Sequence, residues 1–178
     1  MRRWAAIVGF AALPVAAACA PKTVEAPVSS AAPDEDAILA TVDAFFLGMA
    51  AKDADALSAI IAPGSTMVAL GYSDAGAAPP RRTSAQDFVD GLKDRSFPDR
   101  TLEAYWNPTV LQRADLAVVW TPYRIDIAGA RLHCGIDVFS MSRENGKWLV
   151  DSLSFTMEPK ACPELEPQGV AARPVFPE

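Results

Sequence analysis

A chain of 178 residues, 51% of them apolar, is long enough to bury one core of its own and too short for two comfortable ones. Its 22 acidic side chains outnumber 16 basic ones and no Lys/Arg-rich run occurs, so nothing displaces counterions from a phosphate backbone and nucleic acid is excluded as a partner. One histidine and three cysteines are a thin supply for a metal site, which needs three or more converging ligands, and neither metal nor cofactor is expected.

Residues 1–18, MRRWAAIVGFAALPVAAA, begin with Arg2 and Arg3 and continue as an apolar stretch too short for a stable bilayer anchor, ending in small residues. This is the pattern of an export signal. VAAAC resembles a bacterial lipobox, which would put a lipid on Cys19, whereas Ala16-Ala17-Ala18 also satisfies an ordinary small-x-small cut. The lipobox reading is preferred because it accounts for a cysteine at that boundary, although Ala16 stands where such motifs favour leucine. Losing the signal removes two arginines and leaves 14 basic against 22 acidic residues, a formal charge of −8. Residues 19–35 are Pro, Ala and Ser with few large apolar groups, a composition suited to a flexible tether. The expected location is the periplasm, with a lipid anchor on the outer membrane.

With Cys19 at the new terminus, Cys134 and Cys162 form an even pair in an oxidising compartment and are expected to bond. Closing that loop is worth about 3 kcal/mol in the chain-entropy picture and would pin the tail 159–178 at Cys162. The alternative is two free thiols, with Cys134 buried as a small apolar group.

From Asp36 onward, Ile38, Leu39, Val42, Phe45, Phe46 and Met49 recur at helical spacing. Asp53 can cap a second helix to about Ile61, stopped by Pro63-Gly64. A strand over 66–72 and the loop SDAGAAPPRR follow. Thr83 with Gln86 has capping-box spacing and opens a third helix ending near Lys93. Strands are then expected over 101–107, 115–127, 131–142 and 147–157, the last three joined by turns at 128–130 and 144–146.

This order of elements, together with VVWTPYRI (118–125), HCGIDVF (133–139) and ENGKWLVDSLSF (144–155), resembles the nuclear transport factor 2-like superfamily, the SnoaL-like and ketosteroid-isomerase-like cone. The likeness covers residues 36–158 and is greatest to exported bacterial members of unknown function. It implies an α+β fold in which N-terminal helices pack in the concavity of a curved antiparallel sheet, a cystatin-like cone, and in which homodimers form through the sheet. The cone hosts isomerases, dehydratases, hydrolases, ligand binders and assembly modules, so the resemblance does not choose among them.

Side chains alternate along a strand, so His133, Gly135, Asp137 and Phe139 share one face and Cys134 lies on the other. His133 and Cys134 therefore cannot work as a nucleophilic pair. His133 and Asp137 are about 13 Å apart at the usual rise, too far for a dyad. One imidazole, one carboxyl and one phenyl ring suit a pocket wall with sparse polar groups, and the same face could instead be solvated or lie in a dimer interface. The resemblance places Asp137 where ketosteroid-isomerase-like members keep a protonated acid that donates to an oxyanion, a state that burial favours. The tyrosine and aspartate base of those enzymes have no counterparts in the first helix or in 66–72. His133 is the default acid or base. Pro122 suggests a bulge that would bring both Trp120 and Tyr123 to the pocket.

The leading expectation is non-catalytic binding of a small apolar or aromatic molecule by Tyr72, Trp120, Tyr123, His133, Asp137 and Phe139. The alternatives are a cofactor-independent isomerase, dehydratase or hydrolase with His133 as base and Asp137 as hydrogen-bond donor, and an envelope or dimerisation module whose cone is filled by its own side chains.

Overall fold

A computed structural model of the chain describes residues 32–94 and 97–176. The expected export signal, Cys19 and all but the last few residues of the expected tether lie outside them.

The first helix, α1 (Ala32–Ala51), begins before the expected Asp36. Asp34 and Glu35 occupy its first turn, where carboxylates complement the helix dipole. Asp34 also accepts from Gln112 Nε2 at 2.7 Å and Arg143 at 3.1 Å, tertiary contacts that composition cannot reveal. Its buried face is the expected one: Ile38, Leu39, Val42, Phe45, Phe46 and Met49. The short α2 (Ala54–Ser58) is capped by Asp53, whose side chain accepts from Ala56 N at 2.9 Å.

Strand β1 (Ile61–Ser73) starts earlier than expected and absorbs Pro63-Gly64 as an irregularity between Ile61 and Thr66, where Gly64 has φ +82°. Two short strands, β2 (Gly76–Ala77) and β3 (Arg81–Ser84), occupy the stretch read as a loop and pair back onto β1. Thr83 pairs with Met67, so the cap of α3 (Ala85–Leu92) passes to Ser84, whose side chain accepts from Asp87 N at 3.0 Å.

The expected strand 101–107 becomes β4 (Thr101–Tyr105), followed after Asn107-Pro108 by an unanticipated β5 (Thr109–Arg113). Both lie along β6 (Leu116–Ile127), β4 on its second half and β5 on its first. Two long hairpins then join β6, β7 (Ala130–Glu144) and β8 (Lys147–Met157). Their turns, Ala128-Gly129 and Asn145-Gly146, have positive φ at both residues, the twist that two-residue hairpin loops require. Asp126 pairs with Arg131 and Ile125 with His133, so Leu132 is an extra residue on β7.

The strands form a sheet of order β2-β1-β8-β7-β6-β4. It is mixed, because β1 runs parallel to β8 while the other pairings are antiparallel. The helices pack on its concave face, where Phe139 meets Phe45 and Phe46 edge-on at 5.5 and 5.7 Å. The architecture is an α+β cone, as the sequence led us to expect.

Cys134 and Cys162 are bonded. Cys162 opens a one-turn helix, α4 (Cys162–Leu165), and the tail then returns to the sheet, where Tyr105 and Arg173 exchange backbone hydrogen bonds at 2.7 and 2.9 Å. No helix among the described residues is long and apolar enough to cross a membrane, and with the disulfide this is compatible with an exported chain.

Candidate functional site

Period-two alternation orients the two central strands. On β7, His133, Asp137 and Phe139 face the helices, whereas Leu132 is exposed on the outer side. On β6 the inward residues are Val119, Thr121 and Tyr123. Pro122 does not interrupt this strand, since it pairs in register with Ile136 and its carbonyl accepts from Trp106 N at 3.1 Å. A residue's N and C=O point to the same side of a strand, so the missing N–H faces Trp106, which sits in the gap between β4 and β5 and whose carbonyl accepts from the Thr121 hydroxyl instead. With no bulge there, Trp120 stays on the outer face, 44% exposed, and only Tyr123 turns inward.

Between α1, α3 and the sheet lies a cavity of about 300 Å³. Phe45, Met49, Phe88, Leu153 and Phe155 make its apolar walls, and Arg81 stands at its exposed mouth. Its polar wall is made of Glu103, Tyr123, His133 and Asp137.

Glu103 and Asp137 are the centre of that wall. Both are buried, from strands β4 and β7, and their carboxyl groups lie close enough to share a hydrogen bond. Such a bond requires a proton between them. Desolvation drives that protonation, pushing Glu103 up to about 8 and Asp137 well above the usual carboxylate range, with the neighbouring acid adding to the rise at Asp137. No N–H or hydroxyl of the described residues donates to either oxygen of Asp137. The hydroxyl opposite it across the ladder, Thr121, donates instead to Trp106 O at 2.8 Å.

Tyr123 commits its proton to the carbonyl of Thr156 at 2.7 Å. That carbonyl is free because Ile136 N donates to the Thr156 hydroxyl, at 2.8 Å. His133 Nδ1 lies 3.3 Å from the Tyr123 oxygen, and burial holds the imidazole below its ordinary range, hence neutral at pH 7. His133 and Asp137 thus share one cavity while His133 is tied to the phenol and Asp137 to Glu103.

No protein-family model and no curated protein matches the chain. Solved structures do. A Nostoc punctiforme protein of unknown function with a cystatin-like fold superposes with a TM-score of 0.57 at 16% identity, covering 72% of this chain and 94% of that one. A Novosphingobium aromaticivorans nuclear transport factor 2-like protein with a cystatin-like fold gives 0.58 at 12% identity, over 71% and 82% of the two chains. A Mycobacterium tuberculosis protein of unknown function gives 0.61 at 11%, over 76% and 78%.

The chain has the nuclear transport factor 2-like cone fold. At these identities the likeness concerns the fold alone, and the site must be argued from its own residues.

Within this cone the expected ligand contacts separate into three groups. Tyr123, His133 and Asp137 line the cavity. Phe139 faces inward but is fully buried among Phe45 and Phe46, in the core and not on the cavity surface. Trp120 and Tyr72 are away from it: Trp120 because its strand is unbroken, Tyr72 because it lies at the end of β1 in a separate open groove with Asp74, Glu158 and Lys160. Glu103 was not anticipated. The available signal was its phase, since Thr101, Glu103 and Tyr105 alternate onto one face and all three are buried.

Proposed function

We propose that this protein is exported, tethered to the membrane through a lipid on Cys19, and binds a small, largely apolar molecule in its cone. The observation carrying this reading is a buried carboxyl pair, Glu103 and Asp137, on the wall of an otherwise apolar cavity of about 300 Å³. Burying two acids side by side opposes folding, and a ligand that uses them accounts for their presence. An open cavity also speaks for a ligand over a cone filled by its own side chains. Mass spectrometry of the protein purified from its native membrane should find a co-purifying small molecule. An empty protein that also shows no thermal shift with any small aromatic probe overturns the binding reading. Cys19→Ala should move the protein from the membrane fraction to the soluble periplasm, and unchanged partitioning removes the anchor.

A cofactor-independent isomerase, dehydratase or hydrolase is the second reading. The observation favouring it is the same pair, because an acid with a pKa of about 8 can take and return a proton near neutrality. Glu103 then assumes the base role first given to His133, with Asp137 as hydrogen-bond donor. A homodimer through the outer sheet face, where Leu111 and Trp120 are exposed, belongs to the same proposal, and sedimentation as a monomer at micromolar concentration overturns it.

A further inference from the structure

The carboxyl pair is short of donors. Its four oxygens have at most two protons of their own, and Asp137, 1% exposed, receives nothing from an N–H or hydroxyl of the described residues. The hydroxyl groups nearby point elsewhere: Thr121 donates to Trp106 O, Tyr123 to Thr156 O, and Thr101 to Pro98 O at 3.0 Å. Among the described residues no cation is paired with Glu103 or Asp137. Arg124, Arg131, Arg143 and Arg173 each pair with other carboxylates, and Arg81 is exposed at the mouth. The pair offers an anionic ligand no positive charge, and a neutral acceptor would use only the protons the acids hold. A ligand bringing its own N–H donors and a positive charge supplies what the two Asp137 oxygens lack.

We propose that the ligand is a small organic cation, an amine or amidine whose N–H groups are held by Glu103 and Asp137 while its hydrocarbon body lies against Phe45, Phe88 and Phe155. This rests on the small-molecule reading above and gives that ligand a chemical class. The cation takes the place of the proton between the acids, so binding expels protons from a pair that burial otherwise keeps protonated. The chain's net charge of −6 draws cations toward it. The other titratable groups facing the pair are both biased by burial toward their neutral forms: Tyr123 on β6, pushed up, and His133 on β7, pushed down. Arg81 on β3 is the charged group at the mouth, while α1, α3 and β8 line the cavity with apolar side chains.

Isothermal titration calorimetry on the full mature chain tests this with 2-phenylethylamine and its neutral near-isostere 2-phenylethanol. The amine should bind about tenfold tighter or more, the margin of charge-assisted over neutral hydrogen bonds. Its affinity should rise between about pH 6 and pH 8, with heats that depend on the buffer's ionisation enthalpy, while the alcohol shows neither effect. Glu103→Gln with Asp137→Asn should bring the amine down to the alcohol's affinity, and Glu103→Asp should retain the preference, each variant first shown to unfold cooperatively. Equal or tighter binding of the alcohol overturns the cation and leaves the pocket standing. Binding of neither probe overturns both.

Discussion

Gly135 shows how narrow the tolerances around the cavity are. A Cβ there would stand 2.0 Å from the Thr156 carbonyl oxygen and 2.8 Å from Tyr123 Cε1. The obstruction includes backbone, which cannot swing aside. Gly135→Ala should therefore destabilise the fold by about 3 kcal/mol or more in urea unfolding, and loosen the Tyr123–Thr156 hydrogen bond with it. The acids act through pH. Glu103 moves from 4.5 to about 8 on folding and Asp137 shifts the same way, so between these values the native state holds more protons than the unfolded chain. The stability these groups contribute is complete below the unfolded pKa and is lost as pH rises through about 8. The urea midpoint should fall between about pH 5 and pH 8.5 by an amount equivalent to a few kcal/mol, and Glu103→Gln should flatten that slope. At this scale alternation put His133 and Asp137 on one face of their strand, whereas Tyr123 was expected in the pocket through a bulge at Pro122 that did not form. Glu103 was not legible, since an acid in a short strand reads as solvated until the strand's neighbours are known.

At the level of elements, periodic segments were read well and their ends were not. The stripe of α1 follows from residue spacing, but its start depends on Asp34 meeting Gln112 and Arg143, residues far along the chain. The cap of α3 moved by one residue because β3 uses Thr83 in pairing with β1. Ser84→Ala should cost about 1 kcal/mol in chemical denaturation, as for other helix caps, whereas Thr83→Ala should cost less than half of that. Equal costs would return the cap to Thr83. Pro122 teaches the same lesson from the other side. A proline in a long strand suggested a bulge, yet the break between β4 and β5 falls where its missing donor would point, so the strand runs straight and Trp120 faces out.

For the molecule as a whole, the tail is a strap fastened twice. The disulfide closes a separation of 28 residues, and further on Arg173 pairs with Tyr105 through the backbone and with Asp43 on α1 at 2.7 Å. Tyr105 also donates to Asp43, at 2.7 Å, so helix, edge strand and tail meet at one carboxylate. Replacing Cys134 and Cys162 by serine should lower stability by about 3–4 kcal/mol, the loop-closure value for this length, measured by unfolding under non-reducing conditions. Asp43→Ala in that background should cost more than in the bonded protein, because the second fastening then holds the tail alone. The α+β class, the shared face of His133 and Asp137 and the cysteine pairing could be reached from sequence, since each depends on local periodicity, turn chemistry or parity of count, while the cone came from the family resemblance. The parallel β1–β8 contact, the meeting of Glu103 with Asp137 and the exclusion of Trp120 from the cavity depend on which distant strands become neighbours. That choice is made by burial of the whole core, so only the folded chain decides it.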